Sequence, residues 1–166
     1  MSALVGVLDQ ASKYFAVQGL ELHRALPVLP GLNLTLVHNT GAAFSFLRDA
    51  GGWQRWFFIT LSIAISITIL IWLARLPLNR GRLACSLSLI LGGALGNLWD
   101  RINMGYVIDF IDCYIATWHW PAFNVADSAI SVGALILIAD ALWLDRAEIG
   151  VYSADRGKVD RPKQDT

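Results

Sequence analysis

Residues 56–74 read WFFITLSIAISITILIWLA, nineteen positions without one charged side chain. As a helix they rise ~28 Å, enough to cross the hydrocarbon core of a bilayer. Lipid offers a backbone no hydrogen bonds, so a segment of this kind must satisfy its amides within itself, as a helix does. Two further runs repeat the signal. Residues 83–99 are uncharged and carry Gly92, Gly93 and Gly96, and residues 128–144 are broken only by Asp140. Residues 1–17 are weaker, with Asp9 and Lys13 inside the stretch. That segment is too charged for a secretory signal peptide, and no small-residue cleavage site follows it. The expected fold class is an all-α polytopic membrane protein with four transmembrane helices, at about 1–17, 56–74, 83–99 and 127–144.

Composition agrees. Charged residues make up 16% of the chain, against about 25% in soluble domains. A hydrophobic fraction of 55% excludes disorder, and thirteen basic residues balanced by thirteen acidic ones exclude an electrostatic nucleic-acid binder. Seven Trp and seven Phe suit a membrane interface. Cys85 and Cys113 make no disulfide framework and read as unpaired small apolar fillers.

Basic residues near span ends set the orientation. The loop between the second and third spans holds Arg75, Arg80 and Arg82, and the tail holds Arg146, Arg156, Lys158, Arg161 and Lys163, eight of the thirteen on one side. Both termini are therefore expected in the cytoplasm, with residues 18–55 and 100–124 outside. Within 18–55, Leu32-Asn33-Leu34-Thr35-Leu36 alternates like a half-buried strand, Asn39-Thr40-Gly41 is turn chemistry, and 42–47 could return as a second strand. A small outer (periplasmic) β-sheet on the membrane surface is the expectation. Residues 1–145 read as the membrane domain and 146–166 as a polar, unstructured cytoplasmic tail.

Charge near lipid asks for a reason. Five acids fall at or near the outer ends of spans: Asp9, Asp100, Asp109, Asp112 and Asp127. Asp109 sits in the apolar frame Tyr106-Val107-Ile108-Asp109-Phe110-Ile111, and Asp127 heads the last helix. Two neighbouring carboxylates cannot both ionise cheaply, so one keeps a proton, giving an acid and a base able to activate water against a carbonyl. The alternative is that each merely caps a helix or faces water. Asn124 is a good N-cap, and Asp127 three residues later completes a capping-box-like pair that favours Asp127 as the anion. Asp109 would then hold the shared proton.

Around these acids, Asn97, Asp100 and Arg101 share a helix face, and Arg101 could partner Asp100 or clamp a substrate. Gly92 and Gly96 have the small-xxx-small spacing that lets helices approach closely. Asp9 and Lys13 form an i, i+4 pair that reads as a structural tether. Asp112 reads as a solvated loop acid, Asp140 as reaching the inner interface, and His38 as bonded within its loop. Other chemistries fail. There is no zinc-protease motif, the three histidines lack ligand spacing, and there is no Gly-x-Ser-x-Gly elbow or phosphate loop.

Five motifs in order resemble bacterial lipoprotein signal peptidase, the signal peptidase II family. They are Leu8-Asp9-Gln10-x-x-Lys13, Asn39-Thr40-Gly41-Ala42-Ala43-Phe44-Ser45, Gly92-Gly93-Ala94-Leu95-Gly96-Asn97-Leu98-Trp99-Asp100-Arg101, Val107-Ile108-Asp109-Phe110 and Phe123-Asn124-Val125-Ala126-Asp127-Ser128. The resemblance covers roughly residues 3–145. It implies an intramembrane aspartic protease of the bacterial inner membrane that removes signal peptides from prolipoproteins, cutting before a diacylglyceryl-modified cysteine. Asp109 and Asp127 would be the catalytic pair. Asn39, Asn97, Arg101 and Asn124 would hold substrate and order the site, and Asp9, Lys13, Gly41 and Asp100 would support the fold around it. The resemblance adds a surface helix to the outer sheet and implies no metal or cofactor. Its partners would be lipidated prolipoproteins and membrane lipid, with the chain acting as a monomer. Only eight residues precede Asp9, where the family's first helix usually begins earlier, implying an internal start or a first helix shortened at its inner end. The competing class is a non-catalytic membrane protein, such as a proton-coupled carrier, but carriers place acids near the midplane with repeats in each half, and no repeat is visible here.

Overall fold

The computed structural model describes residues 1–41 and 51–159, with the backbone alone for 143–159. Four helices and four strands follow in the order α1 (Ser2–Gly19), β1 (Leu26–Leu29), β2 (Leu32–Asn39), α2 (Trp53–Ala74), α3 (Gly81–Asn103), β3 (Val107–Ile115), β4 (Trp118–His119) and α4 (Val125–Val159). Local chemistry sets the boundaries. Gly51 and Gly52 turn into α2 at φ 74° and 97°, and Pro77 follows shortly after α2 ends. At the end of α3, Gly105 takes φ 83° and its N–H reaches back to the Arg101 carbonyl at 3.2 Å, a left-handed helix stop.

Helix α3 is the hub, packed against α1, α2 and α4. Its glycines make this possible. A Cβ on Gly92 would stand 2.7 Å from the Val5 Cβ of α1, and one on Gly93 would collide with the Ala126 backbone carbonyl of α4. The α2–α3 seam closes over Ile69, Leu87 and Leu91. Three helices are long and apolar enough to cross a membrane: Trp53–Ala74, Gly81–Asn103 and Val125–Leu142. Helix α1 carries Asp9 and Lys13, both buried.

Polarity is inverted relative to a water-soluble fold. Trp56, Ile67, Leu70 and Leu135 are exposed, while Asp9, Lys13, Asp100, Asp109 and Asn124 are 0–1% exposed. Apolar surface outside and ionic groups inside is the arrangement a hydrocarbon solvent selects.

The strands form one antiparallel sheet in the order β1-β2-β3-β4. Each helix either enters or leaves this sheet, so the C-termini of α1 and α3 and the N-termini of α2 and α4 meet at the same end of the bundle. The alternation at 32–36 becomes β2, extended to Asn39. It lies between β1 and β3, with Val37 opposite Asp109 and Asn39 opposite Val107. In β3 the four residues Val107, Ile108, Asp109 and Phe110 are all buried, so the alternation that marks a half-buried strand is missing. The strand expected at 42–47 lies outside the described residues. Among the described residues no surface helix accompanies the sheet.

Two boundaries move for physical reasons. Helix α3 extends past residue 99 because Asp100 and Arg101 find partners inside the protein. Helix α4 continues to Val159, through the first part of the segment read as an unstructured tail. Residues 144–159 contain no proline, and their Leu, Arg, Ala and Glu are strong helix formers. Residues 160–166 lie outside the described residues.

Candidate active site

Asn124 sets the start of α4. Its Oδ1 accepts the Asp127 backbone N–H at 2.9 Å, and Asp127 Oδ2 accepts the Asn124 N–H at 3.2 Å. This is a reciprocal capping box, and it places the Asp127 carboxyl at the positive end of the helix dipole. Asn124 Nδ2 points the other way, donating to Asp109 Oδ1 at 2.7 Å and to the Ile108 carbonyl at 3.2 Å. One cap residue ties both acids to one turn.

Asp109 arrives from β3 and is 1% exposed. Its Oδ2 accepts Asn39 Nδ2 at 2.9 Å, and Asn39 is itself held by its Oδ1 accepting the Gly41 N–H at 3.0 Å. Burial, and then the neighbouring Asp127 carboxyl, push the Asp109 pKa up to about 7, against the amide groups of Asn39 and Asn124, which favour its anion.

Helices α1 and α3 supply the support. Lys13 Nζ lies 2.8 Å from Asp9 Oδ2 and 2.7 Å from Asp100 Oδ2, and donates to Asn97 Oδ1 at 3.0 Å. Asn97 Nδ2 continues to Asp127 Oδ1 at 2.7 Å. Gln10 Nε2 donates to Asp9 at 3.2 Å and to Asp100 at 2.9 Å. Buried ions persist only when paired and bonded in this way. The network reaches both neighbouring elements: Asp9 Oδ1 accepts the Ala126 N–H at 2.9 Å and Asp100 Oδ2 accepts the Ile108 N–H at 3.3 Å. A carboxyl of the first helix thus satisfies a free amide in the first turn of the last.

Asn39, Asn97, Arg101, Asp109 and Asp127 line one cleft of about 550 Å³. Its other walls include Trp120, Phe123, Ile130 and Val132. Arg101 Nη2 donates to the Gly41 carbonyl at 3.1 Å and its guanidinium lies 4.9 Å from the Phe58 ring. Asp100 takes Lys13 as its cation, which leaves Arg101 to face the cleft. Arg55 donates to the Arg101 and Ile102 carbonyls, both at 2.9 Å, and closes the end of α3. Two carboxyls with one readily held proton, in an apolar-walled cleft, can polarise a carbonyl and activate a water together.

Other expectations fare differently. Asp112 is not a solvated loop acid. It is 7% exposed on β3, accepting Asn33 Nδ2 at 2.9 Å and facing His119 Nδ1 at 2.8 Å. The sheet pairing that brings Asn33 opposite Asp112 was invisible without β3. His38 stacks on Tyr106 with ring centroids 4.1 Å apart. Asp140, at the bundle end away from the sheet, meets Arg82 Nε at 3.4 Å. Cys85 and Cys113 are free. Sequence reasoning gave no role to Gln10, Arg55 or Phe58. Gln10 lies within the Asp9–Lys13 motif, but nothing local marks Arg55 or Phe58, whose partners are far along the chain.

Comparison with known proteins adds an independent line. The sequence model of the family described as signal peptidase (SPase) II matches residues 1–143. A protein named lipoprotein signal peptidase from Alteromonas mediterranea is 54% identical over 140 residues, covering 84% of this chain and 77% of its own. One of the same name from Pseudomonas fluorescens is 54% identical over 142 residues, covering 84% of each. Two solved structures described as bacterial membrane enzymes are each 32% identical. One superimposes with a TM-score of 0.77, over 89% of this chain and 87% of its own, and the other with 0.74, over 85% and 89%.

Proposed function

This chain belongs to the signal peptidase II family, and from that premise we propose that it is an intramembrane aspartic endopeptidase. It releases the signal peptide from prolipoproteins by cutting just before a cysteine that carries diacylglyceryl. The observation that carries the reading is the pairing of Asp109 and Asp127 in one cleft, with Asp109 able to keep a proton near neutral pH.

The chemistry follows from that pairing. A water enters between the two carboxyls. Asp127, ionised at the head of α4, takes a proton from the water as its oxygen attacks the scissile carbonyl carbon. Asp109 gives its proton to the carbonyl oxygen, so the tetrahedral species forms without free charge. Proton return through the pair to the amide nitrogen breaks the C–N bond, and the signal peptide leaves with a new carboxyl group. Asn39 and Asn124 orient Asp109, Asn97 orients Asp127, and Arg101 meets the substrate backbone. No metal or cofactor takes part in this scheme.

We place α1 in the membrane as a fourth span, its ions neutralised against α3, with both termini on the cytoplasmic side of the bacterial inner membrane. The sheet then lies on the outer face, and the apolar cleft walls Trp120, Phe123, Ile130 and Val132 open toward the leaflet in which the substrate's acyl chains are held. The chain is proposed to act as a monomer.

A gel-shift assay with a diacylglyceryl-modified prolipoprotein tests the reading. Cleavage is expected from the wild type and not from Asp109→Asn or Asp127→Asn, and only with lipidated substrate. Equal cleavage by either Asn variant, or of unlipidated substrate, overturns it.

A further inference from the structure

Lys13 is paired with Asp9 and Asp100 and would count as a structural tether if that were all it touched. Its third contact leads elsewhere. Asn97 Oδ1 accepts from Lys13 Nζ at 3.0 Å and from Asn124 Nδ2 at 3.2 Å. Two donors on one oxygen forbid the flipped amide, because flipping would aim an N–H₂ group at an ammonium. The Asn97 Nδ2 is thereby committed to Asp127 Oδ1, at 2.7 Å. A donor fixed at that distance requires Asp127 Oδ1 to accept. Neither amide donor of Asp109 touches Lys13: Asn39 is anchored by the Gly41 N–H, and Asn124 by the Asp127 N–H, with its Nδ2 also reaching the Ile108 carbonyl and Asn97 Oδ1.

We propose that Lys13 is a positioning residue of the dyad, which by locking the Asn97 amide and projecting its charge through it determines that Asp127 is the carboxylate and Asp109 the proton holder. This rests on the peptidase reading. The charged groups around Asp127 are Asp9 and Lys13 from α1, Arg101 from α3 and Asp109 from β3. Arg101 and Lys13 each face both acids of the dyad, and Asp9 opposes the carboxylate; what distinguishes Lys13 is the amide it fixes, which donates to Asp127.

The test is a pH–rate profile. Lys13→Met leaves two buried carboxylates without their cation and can fail to fold, so Asp9→Asn/Lys13→Met is made beside it. That double variant keeps the network's net charge while removing the ammonium from Asn97. In either folded variant the acidic limb of the kcat profile is expected to move to higher pH by about one unit, the order of effect an adjacent opposite charge exerts. KM should change little, and Lys13→Arg should move the limb part of the way back. A uniformly lower kcat with an unmoved limb overturns the proposal and leaves Lys13 a structural ion. A wild type that cleaves no lipidated substrate sinks the peptidase reading instead. Infrared titration of the protonated carboxyl stretch, assigned with Asp109→Asn, then decides the role of Lys13 without turnover: a shift of the dyad's titration in the folded variant supports it, and superimposable titrations overturn it.

Discussion

Asp109 is a carboxyl held where its charge is unwelcome, and that has consequences for stability as well as chemistry. Its folded pKa of about 7 stands above the ordinary value of 3.8, so the native state binds its proton more tightly than the unfolded chain does. The stabilisation is full below the ordinary carboxylate range and is lost as pH rises through about 7. Asp109→Asn has no such proton to lose. Its melting temperature relative to the wild type is therefore expected to rise between about pH 5 and about pH 8, read by thermal unfolding in detergent. Activity follows the opposite logic. A rate that depends on protonated Asp109 should fall as pH rises above about 7, and removal of that proton donor should lower kcat by about 10²–10⁴-fold in the cleavage assay. The pair could be picked out from sequence because each acid stands in an apolar frame. The supporting residues were named through the family motifs, but their contacts were not readable, since Lys13 meets Asn97 across 84 residues and Asn39 meets Asp109 across 70.

At the level of elements, the start of α4 and the α3–α4 crossing carry the most risk. Asn124→Ala removes the cap and leaves the Asp127 N–H without its acceptor. It should cost about 1 kcal/mol as a cap alone and lower kcat further than that loss predicts, because the same amide orients Asp109. Gly93→Ala drives a methyl into the Ala126 carbonyl. Chemical denaturation should show about 1–3 kcal/mol lost, with activity reduced as the first turn of α4 is displaced. The capping box was readable from Asn124 and Asp127 alone because both of its halves are local. Strand β3 was not, because its first residues are covered on both faces and lose the alternating pattern. Without β3, the partner of β2 was sought at 42–47, and Asp112 looked like a surface acid rather than a buried neighbour of Asn33.

Across the whole molecule, ionic groups draw the bundle together where a soluble protein would use apolar ones. Asp9 bonds Lys13 on its own helix and the amide of Ala126 on α4, so a single side chain joins the first and last helices. Asp9→Ala should unfold at a temperature well below the wild type, with a loss of about 3–5 kcal/mol, the usual result of stripping one partner from a buried pair. Asp9→Asn retains an acceptor for Ala126 and should lose less. The order of the chain gives this junction a further meaning. While a ribosome is still extending the polypeptide, α1 is already present but Ala126 and Asp127 have not been made. The cavity that would hold a peptide bond has neither its second acid nor the helix end that orients the first. The proposed hydrolytic capacity is therefore tied to synthesis of the first turn of α4, and copies that end before Asp127 lack it.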